Sequence, residues 1–226
     1  MTKLTSTLAS LTLTLTATQA LAGVVWFDTT AAMRAAAGFP ITSRASVTWA
    51  YANRSAEAVC MQNGYARGMY TGEQAGELMG VHCFTSDMVT WQDVPFSRIS
   101  RWAWWDDGIT TLDAEVSFKA EATAHNECNS MGMNYGGGFL TGHTGLSNVV
   151  GLVCIDRSHV AIRGADANDP RFPALTPPLH PNYSPWYQVR AAANQVCQYH
   201  GFATGTADGA VTTGTGVLNL GFDCFY

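Results

Sequence analysis

Six cysteines fall into three pairs with the same surroundings, and this placement narrows the accessible folds more than any other feature of the chain. Cys60-Met-Gln-Asn-Gly64-Tyr65 aligns with Cys128-Asn-Ser-Met-Gly132-Met133 and Cys197-Gln-Tyr-His-Gly201-Phe202, each with glycine four residues after cysteine and a large apolar residue next. Downstream, Gly80-Val-His-Cys83-Phe84 matches Gly151-Leu-Val-Cys154-Ile155 and Gly221-Phe-Asp-Cys224-Phe225. Between them stand Thr71-Gly72, Thr141-Gly142 and Thr213-Gly214. Unrelated positions recurring together at fixed spacing are the signature of an internal repeat. The expected pairing is therefore local: Cys60 with Cys83, Cys128 with Cys154, Cys197 with Cys224.

Upstream of each first cysteine, small apolar residues recur every four positions: Ala52, Ala56, Cys60; Ala120, Ala124, Cys128; Val189, Ala193, Cys197. That spacing stacks them on one helix face, and their size lets the face approach a sheet. Trp49 and Trp186, eleven residues before their cysteines, are expected to wedge the helix onto the core. Ser184-Pro185 suits a cap and first turn. Gly64, Gly132 and Gly201 read as helix stops, followed by apolar residues that pack back on the last turn. Glycine-punctuated strands follow, and Gly136-Gly137-Gly138 reads as room for a tight bend or close backbone approach. The expected class is α+β: three helix-strand-strand repeats, over about 46–84, 113–155 and 184–226, each with its own disulfide, packed as one pseudo-threefold domain. A single unit of this length would bury little core alone.

The connectors differ. Arg98 to Trp105, then Asp106-Asp107-Gly108 and Ile109 to Leu112, read as strand, turn, strand. Asp169 to Pro185 holds six of the eight prolines and reads as an extended connector, with Phe172, Leu175, Leu179 and Tyr183 placed to pack along the surface.

Before the first unit, Met-Thr-Lys, a Leu/Thr/Ala run and Ala20-Leu21-Ala22 read as a secretory signal peptide over 1–22, leaving 23–226 as the secreted domain. Its removal changes the charge balance from 12 − 17 = −5 to 11 − 17 = −6. Export, extracellular or periplasmic, agrees with an even cysteine count used in disulfides. Only 13% of the chain is charged and 47% is hydrophobic, which excludes an acidic disordered tail and a basic nucleic-acid clamp. No apolar run is long enough to span a membrane as a helix. Oligomeric state is not legible.

Signatures of catalysis are sparse. There is no His-Glu-x-x-His, no Gly-x-Ser-x-Gly, no Walker loop and no Cys-x-x-Cys, so neither a metal nor another cofactor is expected. Asp106, Asp107 and Asp113 lack the acidic ladder of a calcium loop. His143, in a glycine-flanked loop, is the one candidate acid or base; Glu73 and Thr215 stand at its counterparts. His82 and Asp223, each directly before a second cysteine, read as solvated strand positions. His125 lies off the apolar helix stripe, His200 in a helix stop, and His159 and His180 in connectors. Asn53-Arg-Ser55 and Asn182-Tyr-Ser184 match glycosylation acceptors.

Aromatic side chains carry the main functional expectation. Trp102 and Trp104, with Asp106 and Asp107, are expected to form a sugar platform, the indole stacking on a pyranose while carboxylates take hydroxyls. Glu73 and His143 add polar groups on neighbouring loops. The expected function is a secreted, non-catalytic, lectin-like protein that binds extracellular glycans or a cell-surface partner. A structural or adhesive envelope protein acting through protein contacts or self-association is the alternative, and a secreted hydrolase centred on His143 the second.

Overall fold

The structure is a computed structural model that describes residues 25–37, 49–75, 78–99, 117–132, 134–144, 149–173, 186–214 and 217–226. In chain order the elements are β1 (Val25–Asp28), α1 (Thr30–Ala37), α2 (Trp49–Gln62), β2 (Arg67–Ala75), β3 (Leu78–Phe84), β4 (Val89–Pro95), α3 (Phe96–Ile99), α4 (Ser117–Met131), β5 (Tyr135–Thr144), β6 (Val149–Asp156), β7 (Val160–Asp166), α5 (Trp186–Tyr199), β8 (Thr204–Gly214) and β9 (Val217–Phe225). The signal segment, Trp102, Trp104, Asp106 and Asp107, Ser184-Pro185 and Asn182 lie outside the described residues, as do the side chains of Trp49, Trp186 and His143.

The class is α+β, with antiparallel sheets and three disulfides. Each long helix precedes a hairpin, and each disulfide joins the helix to the hairpin's second strand: Cys60–Cys83, Cys128–Cys154 and Cys197–Cys224. Closing loops of 23, 26 and 27 residues contributes about 3 kcal/mol each in the chain-entropy account. A glycine faces each helix sulfur: a Cβ at Gly68, Gly138 or Gly205 would fall on Cys60, Cys128 or Cys197 Sγ. The first helix stop works as expected. Gly64, at φ 84°, donates to Met61 O and Tyr65 donates to Cys60 O; Gly201 and Phe202 repeat this pair of bonds on Gln198 and Cys197. Gly132, at φ 158°, lies outside the left-handed well the other two occupy.

Each sheet has a third strand, drawn from the chain ahead of its helix. The orders are β1-β3-β2, β4-β6-β5 and β7-β9-β8. Sequence patterning misses β4 and β7, whose alternation is weak because each is an edge strand with a largely uncovered face. The strand expected from Arg98 fails at its start, since Arg98 and Ile99 belong to the helical turn α3. In all three sheets the hairpin carries an irregularity two residues wide, between Tyr70 and Gln74, Leu140 and Thr144, and Ala207 and Val211. This register makes Asp208-Gly209, not Thr213-Gly214, the counterpart of Thr71-Gly72. The mismatch arises because Asp replaces Thr, and Thr-Gly recurs by chance farther along β8.

Burial explains the packing. Ala52, Ala56 and Cys60, Ala124 and Cys128, and Val189, Ala193 and Cys197 are buried against their own hairpins, as the stripe predicts. The helices also cover a second sheet: α2 packs on β5, α4 on β8 and α5 on β2. The strand face turned away from its own helix is thus buried as well. Phe84, Ile155 and Phe225, each following a second cysteine, meet with Met69, Phe139 and Val153 in a shared cluster, Phe84 lying 5.3 Å from Phe139 and 5.7 Å from Phe225. His82 and Asp223 lie on this face and are buried, which corrects their reading as solvated positions. Asn53 is buried too, and its Nδ2 donates to Leu140 O at 3.1 Å; this amide is a structural tie between α2 and β5, inaccessible to glycosylation. Phe172 packs as expected, buried and edge-on to Tyr199 at 5.5 Å.

Seven residues before each first cysteine stands a buried polar group: Asn53, Glu121 and Arg190. Arg190 donates through Nε to Glu121 and through Nη1 to Tyr70 O, while Asn53 Oδ1 accepts from Tyr70 N. Helices α2, α4 and α5 are thereby tied to one another through β2.

Candidate functional site

The polar groups concentrate where α4 covers the third sheet. Positions Glu121, His125 and Asn129 recur every four residues and form a second stripe beside the Ala124–Cys128 face. From the sheet, Asp223 on β9 pairs directly with Thr206 on β8, and Asp208 lies two residues farther along β8. His125 Nδ1 is 2.5 Å from Asp223 Oδ2, and Asn129 Nδ2 is 2.8 Å from His125 Nε2. Asp223 and Thr206 are fully buried, whereas Asn129 is exposed. Asp223 Oδ1 and Thr206 Oγ1 have no hydrogen-bond partner among the described residues. A buried carboxylate oxygen without a donor is costly unless a proton or ligand meets it.

Electrostatics follow from this burial. Desolvation pushes the Asp223 carboxyl up to about 6, against the opposing hydrogen bond and charge of His125. For His125, burial disfavours the charged ring, but the hydrogen bond to Asp223 and the charges of Asp223 and Asp208 outweigh it, holding the imidazole above its ordinary value. The two groups are in direct contact, so the protonation of one shifts that of the other. By contrast His82, the residue before Cys83, is driven down to about 3 by burial and then by the Arg190 charge, so it stays neutral.

At Asn129, which holds the far side of the His125 ring, the surface opens into a depression of about 430 Å³ lined also by Gly136, Arg157, Val160 and Ile162. A smaller one of about 270 Å³ lies on the far side of Ile162, lined also by Arg163, Gly164, Asp208 and Asn219. Glycines on β5 let its neighbours pack directly against the strand: a Cβ at Gly137 would fall on the Asp223 carboxylate, and one at Gly136 would come within 2.7 Å of Val160 Cβ. The corresponding place on the second sheet is filled. There Trp91 pairs with Val153, the residue before Cys154, as Ile162 pairs with Asp223. The Arg67 guanidinium lies 4.4 Å from the Trp91 ring centroid and is bonded at 2.6 Å to Glu57, which occupies the helix position of His125.

Of the site residues expected from sequence, Glu73 lies on β2, half-buried, its backbone bonded to Thr71 Oγ1 and Tyr70 Oη. His143 is on β5. Glu73 is not among the described residues that line the depression, and the His143 side chain lies outside the described residues. His125, Asn129, Asp223 and Arg157 were not singled out as a group. Their common signal is the second four-residue stripe, which becomes meaningful once α4 is known to face two sheets. Among the described residues no helix is long and apolar enough to cross a membrane, and no cluster of three or more metal-binding side chains occurs. No family model matches the chain, nor does any curated protein or solved structure.

Proposed function

We propose that the chain is an exported, non-catalytic binding protein for extracellular glycans, built from three repeats of one strand-helix-hairpin unit closed into a pseudo-threefold domain, and that the depression over His125 and Asp223 is its ligand site. The observation that carries this reading is the contrast between two like positions. Arg67 stacks on Trp91 at the edge of the second sheet, while at the edge of the third Val160 and Ile162 border a depression together with Asn129, Gly136 and Arg157. The lining supports a sugar ligand: Val160 and Ile162 offer an apolar wall for the C–H face of a pyranose, and Asn129 and Arg157 offer an amide and a guanidinium for its oxygens. The disulfides are in keeping with export. Repetition of the unit is supported by the shared strand order, the shared two-residue irregularity and the cyclic packing of α2 on β5, α4 on β8 and α5 on β2.

A glycan array tests the reading. Binding that falls in Asn129→Ala supports the depression as the site. Binding that survives Asn129→Ala and falls in Trp102→Ala would move the site to the tryptophan platform. The alternative of a structural or adhesive protein is favoured by one observation, Ile162, which is 62% exposed on the edge strand β7. A blank array together with concentration-dependent oligomers lost in Ile162→Lys would favour that alternative.

A further inference from the structure

The imidazole of His125 is bound at both ends, and the two ends differ in exposure. Nδ1 meets the buried Asp223 carboxylate, and Nε2 meets the carboxamide of exposed Asn129 at the rim of the depression. Facing Asp223 Oδ2, Nδ1 keeps its proton as a donor in both charge states of the ring, and toward the acid end, where Asp223 itself takes up a proton, that proton has room on the unpartnered Oδ1. Protonation therefore takes place at Nε2. A neutral ring accepts from the Asn129 NH2 group, leaving the carboxamide oxygen available to the depression. A charged ring donates from Nε2, so the carboxamide must turn to present its oxygen to the ring and its NH2 group outward.

We propose that Asn129 is a pH-driven switch that makes the depression a hydrogen-bond acceptor when His125 is neutral and a donor when it is charged, and that in the donor state the site takes a carboxylate-bearing sugar between Asn129 and Arg157. This rests on the binding reading above. Arg157 supplies the fixed positive group at the rim, where it lines the depression with Asn129. The groups that face the switch from neighbouring elements are Asp223 on β9 and Asp208 on β8, whose charges favour the protonated ring. On α4 itself, Glu121 is neutralised by Arg190 of α5 and Glu127 by Arg98 of α3. Burial raises the Asp223 carboxyl to about 6, and the bond to Asp223 with the Asp223 and Asp208 charges raises His125 above its ordinary value despite its own burial.

The switch is read without ligand by following the His125 ring and the Asn129 side-chain NH2 resonances by NMR across about pH 5 to 8. Both are expected to move with one midpoint. An Asn129 signal that stays flat while His125 titrates overturns the proposal. Glucuronate, glucose and acetate then probe the ligand. Glucuronate is expected to bind about tenfold more tightly at about pH 5 than at about pH 8, the size of one charge-assisted hydrogen bond. Glucose, lacking the carboxylate, should not follow, and acetate binding as tightly as glucuronate would overturn the sugar assignment. Glucuronate affinity that is pH-independent, or that keeps its pH dependence in the exposed-site variant Asn129→Ala, overturns the coupling. Co-titration of Asn129 with no binding of any probe would overturn the ligand and the binding reading together, while supporting the amide switch.

Discussion

Helices α2 and α4 each cover a second sheet besides that of their own hairpin, yet they do so with opposite chemistry. Under α2 the sheet presents Val153, and the gap at the edge is closed by Arg67 stacked on Trp91 and tied to Glu57. Under α4 the sheet presents Asp223, which binds His125, and a depression lined by Gly136 and Ile162 lies at the edge. Similar helix-on-sheet packing thus carries an apolar contact edged by an Arg67–Trp91 stack in one place and a titratable pair beside a depression in the other. Where two similar helix-on-sheet contacts differ, function is expected at the one that gives up packing the other keeps.

The largest test of this contrast is at the helix position seven residues before the cysteine. Glu121→Ala on α4 would strand the buried Arg190 and is expected to cost about 3 to 5 kcal/mol in chemical denaturation. Asn53→Ala on α2 removes a neutral amide and is expected to cost about 1 to 3 kcal/mol. Equal losses would mean that the two helices are held alike.

Next in size is pH. The folded-state values of Asp223 and His125 are both raised, so the native protein holds protons that the unfolded chain releases. Their stabilisation is present on the acid side of the window, below about 4 for Asp223, and is lost as pH rises through about 6 and then through the raised His125 value. His82 acts with the opposite sign, its contribution being present above the ordinary histidine value and lost as pH falls toward about 3. Comparing the wild type with His125→Gln/Asp223→Asn removes the His82 effect, which both share. The wild type's advantage is expected to shrink by on the order of 2 kcal/mol from about pH 4 to about pH 7. An advantage that grows with pH would contradict the assigned charge states.

How far these features are legible in sequence differs by kind. Disulfide pairing, the small-residue stripe and two of the glycine stops follow from local rules and are present in the fold, as at Cys60–Cys83, Ala52–Ala56 and Gly64. Strands β4 and β7 are not legible, because edge strands such as Val160–Asp166 leave alternate residues on both faces in water. The second stripe, Glu121, His125 and Asn129, looks like an ordinary solvated helix face until a neighbouring sheet covers it. Asp223 misleads for the same reason: alternation correctly turns it away from its own disulfide, but the opposite face is buried by another helix.

A smaller effect is expected where the edges differ. Trp91→Ile, which gives the second sheet the residue of the third, removes the ring beneath Arg67 and is expected to cost about 0.5 to 1 kcal/mol in thermal or chemical unfolding. A neutral result would show that the Arg67 stack does not seal the contact.

The reciprocal change, Ile162→Trp, tests the central claim most directly. Trp91 is 38% exposed and Ile162 is 62% exposed at the corresponding place, so a larger ring at the edge is expected to leave stability within about 0.5 kcal/mol while narrowing the depression. Calorimetric titration of wild type and Ile162→Trp with the strongest array ligand is the decisive measurement. The account predicts at least a roughly tenfold loss of affinity, equivalent to about 1.4 kcal/mol, in a variant that unfolds like the wild type. Unchanged affinity in that variant would contradict the placement of the ligand over His125 and Asp223.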